Sequence, residues 1–164
     1  MTMQMKKIDP KEVQRLRTET NAGVMDCKRA LEDAQGDFDK AKALLKERGL
    51  ASVAKKSGRE ANEGLVASYI HAGGRVGAIV LIASETDFVA RSDEFKKLAQ
   101  EVAMQVTAMD PKTVDELLAQ AYIRDASKTI KDLVTTLAAS VGENVSVRKF
   151  QRFALGEAEP EAES

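Results

Sequence analysis

The chain has 164 residues, 43% of them hydrophobic and 31% charged, which is the range of an ordinary globular protein of one domain, or of one domain with a satellite of about 50 residues. Its longest apolar run, 76–83, spans 8 residues, far short of the roughly 20 of a bilayer crossing, and no apolar stretch follows Lys6 and Lys7, so neither a membrane span nor a secretory signal is expected and the location is read as cytoplasmic. The 25 bases nearly balance the 26 acids, and setting aside the 4 acids of 157–164 leaves only a slight basic excess, which argues against nucleic acid as a partner; one Cys and one His exclude an intrachain disulfide and a Cys/His zinc cage, so no metal or cofactor is expected.

The first helix has a complete start signal: Asp9 as N-cap, Pro10 at N1, Glu12 for a reciprocal box and Ile8 to staple onto Val13. Its stripe runs through Val13 and Leu16 to Thr20, and Asn21-Ala22-Gly23 breaks the period. A second helix carries Met25, Cys27, Ala30, Leu31 and Ala34 up to Gly36. Asp37 caps a third, with Phe38, Ala41, Leu44 and Leu45 at helical spacing until Gly49. Residues 1–50 thus read as a three-helix bundle, and 51–63, polar and aperiodic, as a linker.

From residue 64 the period shortens. Segments 65–72 and 75–84 are apolar and β-branched and are joined by Gly73-Gly74, a hairpin signal. The second strand is apolar on both faces and is expected to be central and covered on both sides. Ser92 caps a helix with the stripe Phe95, Leu98, Val102 and Val106. Thr113 with Glu116 opens a shorter one, Ser127 a last one ending at Gly142, and 145–155 returns to strand. The fold class is therefore α+β, with a core over 64–156 of a three-stranded antiparallel sheet packed with helices, followed by a disordered acidic tail at 157–164.

Catalytic machinery is hard to find. No GxxxxGK[ST], GxGxxG or GxSxG motif is present, so no direct nucleotide binding and no covalent chemistry are expected. Cys27 and His71 fall in different predicted domains, and a free Cys on an apolar helix face is most simply core. A His beside a turn most simply faces solvent or a partner. Two features stand apart. Val24 and Met25 project next to a helix start where a small core has limited room for both, although packing in the bundle is the simpler reading. Phe88 sits between the central strand and the Ser92 cap, where a binding anchor and packing onto the sheet are equally good readings.

These segments carry a resemblance. LRTETNAGVMDCKRALEDAQGDFDKAKALLKERG (16–49) and ASETDFVARSDEF (83–95) resemble the two signatures of the bacterial elongation factor Ts family, and the likeness extends through SYIHAGGRVGAIV (68–80) and VGENVSVRKFQRF (141–153). The resemblance implies a bundle similar to ubiquitin-associated domains and a guanine-nucleotide exchange factor for elongation factor Tu, a GTPase. Carried over position by position, the partner contacts are Arg17, Val24, Met25 and Lys28 in the bundle, Asp87 and Phe88 as the pair that intrudes near the magnesium site, His71 of the YxHxxxRxG pattern, and Val141-Gly142. Longer relatives carry a further helical segment where this chain has only 30 residues between Pro111 and Gly142, and some have two core copies whose second copy supplies the His motif, which implies His71 acting here from a partner protomer. A single core copy with a sheet apolar on both faces favours a homodimer, the alternative being a monomer whose three core helices suffice to cover it. Asn21 and Val24 stand where the family more often has Gly and Met. An alternative from another class is a helical adaptor with a dimerising core; a small Cys/His hydrolase is a distant third.

Overall fold

The computed structural model describes residues 7–157. Its elements are α1 (Pro10–Thr20), α2 (Val24–Asp33), α3 (Phe38–Lys56), β1 (Glu63–Ile70), β2 (Val76–Ser84), α4 (Asp87–Ala90), α5 (Asp93–Met109), α6 (Val114–Ala119), β3 (Ala121–Tyr122), β4 (Asp125–Thr129), α7 (Ile130–Val141) and β5 (Ser146–Ala154). The fold is α+β, and two compact units divide it: the residues up to Gly58 together with Thr135–Glu143, and Arg59–Val134 together with the residues from Asn144 on. No described helix is long and apolar enough to cross a membrane.

In the first unit, α1 to α3 bury Leu16, Cys27, Ala30, Leu31, Ala34 and Ala41, with Ile8, Val13, Phe38, Leu44 and Leu45 packed around them. Asp9 caps α1 by accepting from the Lys11 N–H at 2.9 Å, while the Glu12 carboxylate turns to Arg15 at 3.9 Å. The Arg15 guanidinium lies 4.3 Å over the Phe38 ring and Lys42 reaches Glu19 at 3.1 Å, so a cation–π contact and an ion pair hold α3 to α1. Asn21 ends α1 in the left-handed region (φ 54°), which an Asn tolerates and a Gly takes freely. Asp37 caps α3, accepting from the Lys40 N–H at 3.0 Å; that bond holds its carboxyl below the usual range.

Part of the segment expected as a linker is helical. Helix α3 runs through Gly49 to Lys56, because Gly49 faces Ala139 of the same unit, where a Cβ would come within 3.3 Å, and the helix is continued past it rather than capped. Lys56 then donates to the Gly142 carbonyl at 3.0 Å. Residues 51–56 are thus helical. Residues 158–164 of the expected tail lie outside the described residues; Glu157 accepts from Arg152 at 2.7 Å.

The second unit holds an antiparallel sheet in the order β1-β2-β5. The hairpin register pairs Val66 with Leu81 and Ile70 with Gly77; β5 pairs antiparallel on the other side, with an irregularity between Leu81 and Ile82. Opposed residues share a face. One face presents Ala67, Ala78, Val80, Ile82 and Val147, all buried, and α5 packs against β1 and β2 with Phe95, Ala99, Val102 and Val106 buried. At Gly64 (φ 146°) the backbone passes so close to β2 that a Cβ would stand 2.0 Å from the Ile82 carbonyl oxygen. The opposite face corrects an expectation: β2 is central but not covered on both sides, since Val66, Ile70, Ile79 and Phe153 are 70%, 64%, 46% and 63% exposed.

The last helix also begins differently. Thr129 rather than Ser127 closes its start, with the Asp132 N–H donating to Thr129 Oγ1 at 3.1 Å and the Thr129 N–H donating to Asp132 Oδ2 at 2.9 Å. Ser127 belongs to β4, which pairs with β3 in a small second sheet. Buried Gln105 of α5 pins this hairpin, donating to the Ala121 carbonyl at 3.0 Å and accepting from the Ile123 N–H at 3.1 Å. Tyr122 donates to Glu101, and burial together with that carboxylate pushes its phenol up to about 12.

Candidate functional site: exposed apolar side chains on rigid supports

Phe88 is 87% exposed, so it does not pack onto the sheet. Its support is a one-turn helix, α4, rather than a loop. Thr86 caps this turn, accepting from the Val89 N–H at 3.3 Å, and the buried Ser84 hydroxyl donates to the Thr86 carbonyl at 3.0 Å. Val89 and Ala90 are buried while Phe88 points away. The segment is thus amphipathic over four residues, with its inner side chains anchoring it to the unit that holds the sheet. Asp87 beside the ring pairs with Arg91 at 2.7 Å, both largely exposed.

At the other end of β2 lies His71. Its N–H donates to the Val76 carbonyl and its carbonyl accepts from the Gly74 N–H, each at 2.9 Å, closing the turn to β2. The ring is exposed, with Nδ1 3.2 Å from the Tyr69 hydroxyl. An apolar cleft of about 440 Å³ lies beside it, lined by Tyr69, Val76, Met104, Ile123 and Arg152. The nine residues of β2 put roughly 26 Å of strand between the His71 turn and the α4 turn. One copy of the sheet therefore holds these two candidate residues at opposite ends.

In the first unit, Val24 and Met25 open α2 and are 46% and 57% exposed, outside the bundle core expected as their simpler place. Arg17 and Lys28 are exposed, Lys28 standing 3.8 Å from Glu32. Gly142 caps α7 in the left-handed region (φ 72°), and Val141 beside it is half-buried. Both fall in the first unit rather than with the sheet. Cys27 is fully buried, 3.9 Å from the Thr20 hydroxyl, and burial raises its thiol pKa, which disfavours a nucleophilic thiolate. Among the described residues no three His, Cys, Asp or Glu gather as metal ligands.

Sequence reading missed Glu85. Its carboxylate accepts from the Asn144 N–H at 2.7 Å and lies 3.7 Å from the Arg59 guanidinium. Nothing in its spacing announced this, since its partners are 26 and 59 residues away.

The arrangement defines an α+β protein whose exposed apolar and aromatic side chains stand on short, internally capped supports, a build suited to contacting another macromolecule. A sequence model described as "Elongation factor TS" matches residues 85–160. The protein named Elongation factor Ts of Thermoanaerobacter sp. (strain X514) is 41% identical, over 92% of this chain and 96% of the relative. That of Caldanaerobacter subterraneus subsp. tengcongensis is 40% identical over 92% and 98%, and that of Anaeromyxobacter dehalogenans (strain 2CP-1) 39% identical over 93% and 90%. The chain belongs to the elongation factor Ts family, and with it to the translation elongation factors. The alignment to the first of these spans 195 positions, more than the 164 residues available here, so that relative carries residues this chain lacks.

Proposed function

We propose that this protein binds elongation factor Tu in the cytoplasm and accelerates release of its GDP without breaking any covalent bond. The observation that carries the reading is Phe88, an aromatic ring 87% exposed on a capped turn at the end of the central strand. An exchange factor must bind the nucleotide-free GTPase more tightly than the GDP-bound form, and by reciprocity GDP then binds the complex less tightly. Burying a Phe contributes about 1.5–3 kcal/mol, and each 1.4 kcal/mol of differential binding is about tenfold in nucleotide affinity. Phe88 with Asp87 acts as the wedge. Residues 1–50 form the docking domain, with Arg17, Val24, Met25 and Lys28 on its contact surface; Val141, Gly142 and His71 supply further contacts.

The protein acts as a homodimer. Val66, Ile70, Ile79 and Phe153 form an exposed apolar sheet face that a second copy covers, and His71 then serves the GTPase held by the wedge of its partner protomer, since within one copy it lies a strand length from Phe88. Release of fluorescent GDP from elongation factor Tu, with and without the protein, tests the exchange reading; an unchanged rate rejects it. Light scattering at micromolar concentration tests the dimer, and a mass near 17.8 kDa with full activity rejects that assembly.

A further inference from the structure

The α4 turn is too short to hold itself: one helical turn fixes its dihedrals for very few hydrogen bonds. Its direction therefore depends on its root. Glu85 is that root, standing between the last residue of β2 and the Thr86 cap. Its carboxylate is bound to both places where the chain enters the second unit, to the Asn144 N–H at 2.7 Å and to Arg59 at 3.7 Å. The node is closed by the Asn144 side-chain amide, which donates to the Arg59 carbonyl at 2.7 Å. Only 20% of the Glu85 side chain is exposed, so the charge-assisted bond to Asn144 is partly shielded from water and correspondingly strong. Three segments remote in sequence thus meet on one carboxylate three residues before Phe88.

We propose that Glu85 is a positioning residue for exchange: by tying the wedge turn to residues 59 and 144 it pre-orients Phe88, so that ordering the turn is not charged against insertion of the ring. The inference rests on the exchange reading above and is separable from it. Glu85→Ala is expected to slow GDP release at saturating factor about tenfold while leaving the half-saturating concentration unchanged, because the docking surface of the first unit is untouched. Glu85→Gln keeps an acceptor for the Asn144 N–H and is expected to restore most of the rate. Since Glu85 acts through the ring, Glu85→Ala in a Phe88→Ala background is expected to cost nothing more. Should Glu85→Ala lose its circular-dichroism signal, Arg59→Ala, which removes only the exposed ion pair, is expected to slow release about threefold, again without further effect on Phe88→Ala. Amide hydrogen exchange at Val89, whose N–H donates to Thr86, supplies a readout free of the GTPase, with protection falling about tenfold in Glu85→Ala. Multiplicative loss in the double variant, or unchanged release and unchanged Val89 protection in a folded Glu85→Ala, overturns the proposal. A wild-type protein that leaves GDP release unaltered overturns the exchange reading itself, whereas an active wild type impaired by Phe88→Ala but not by Glu85→Ala overturns only this inference.

Discussion

Phe88→Ala separates a wedge from a core residue most cleanly, because the two roles predict opposite results in two assays. A buried Phe truncated to Ala costs about 3–5 kcal/mol of stability through lost transfer free energy and the cavity left behind. Phe88 is 87% exposed, and its neighbours Val89 and Ala90, not its ring, anchor the turn, so the expected change in stability is within about 0.5 kcal/mol, as for exposed sites in general. On the proposed exchange reading, the ring matters in the GTPase complex. If it enters an apolar groove there, its removal forfeits about 1.5–3 kcal/mol of binding made only in the exchange-competent complex, which slows GDP release about ten- to hundredfold. Stopped-flow release of fluorescent GDP gives the rate, and urea unfolding followed by circular dichroism gives the stability. An unchanged rate from a folded variant refutes the wedge; a loss of several kcal/mol refutes the reading of Phe88 as free of the core.

Met25→Asp places a carboxylate in the first turn of α2, where the helix tolerates it, and is expected to weaken binding of the GTPase at least about tenfold while release at saturating factor stays near normal; titration calorimetry and the exchange assay check the two halves. Gly64→Ala puts a Cβ 2.0 Å from the Ile82 carbonyl oxygen at a φ of 146°, and urea unfolding is expected to show a loss of about 3 kcal/mol or more. Tyr122, pushed up to about 12 in the fold from the ordinary phenol value of 10.0, stabilises the protein fully below pH 10 and loses that contribution as the pH rises from 10 through 12; ultraviolet absorbance is expected to show one of the two tyrosines ionising late, and Tyr122→Phe to flatten stability across that window.

What the sequence disclosed was whatever short-range chemistry decides. Asp9, Asp37, Ser92 and Thr113 all cap the helices expected of them, because an N-cap needs only a side-chain oxygen two or three residues before a free N–H. The hairpin through Gly73-Gly74 and the central place of β2 were legible for the same reason. The failures are tertiary. Gly49 carries a stop signal that the helix overrides where Ala139 packs on it; β4 (DASKT) has no apolar alternation to mark it, and is placed by pairing with β3, which Gln105 of α5 holds through the Ala121 carbonyl. At the candidate site, the identity of Phe88 was visible but its exposure was not, since a Phe between a strand and a cap can fold inward or outward. Which occurs is settled by Val89 and Ala90 taking the inner positions.

An exposed Phe on a single helical turn would ordinarily be a poor binding element, because a free turn samples many directions and must be ordered at the moment of contact. The supports around Phe88 remove that cost in advance. Ser84 is fully buried and fixes the Thr86 carbonyl, Thr86 caps the turn, Glu85 ties its root to Arg59 and Asn144, and Val89 and Ala90 fill the unit beneath. Every one of these contacts is made in the free protein, so none has to form at the moment of the proposed contact with the GTPase. The same logic explains why the ring can stay exposed without harming the fold: stability resides in the inner face of the turn, and the outer face is left free for the proposed contact. The proposed exchange factor, which would loosen a nucleotide from another protein by contact alone, needs that division, since a wedge that also served as core could not leave it to enter a partner.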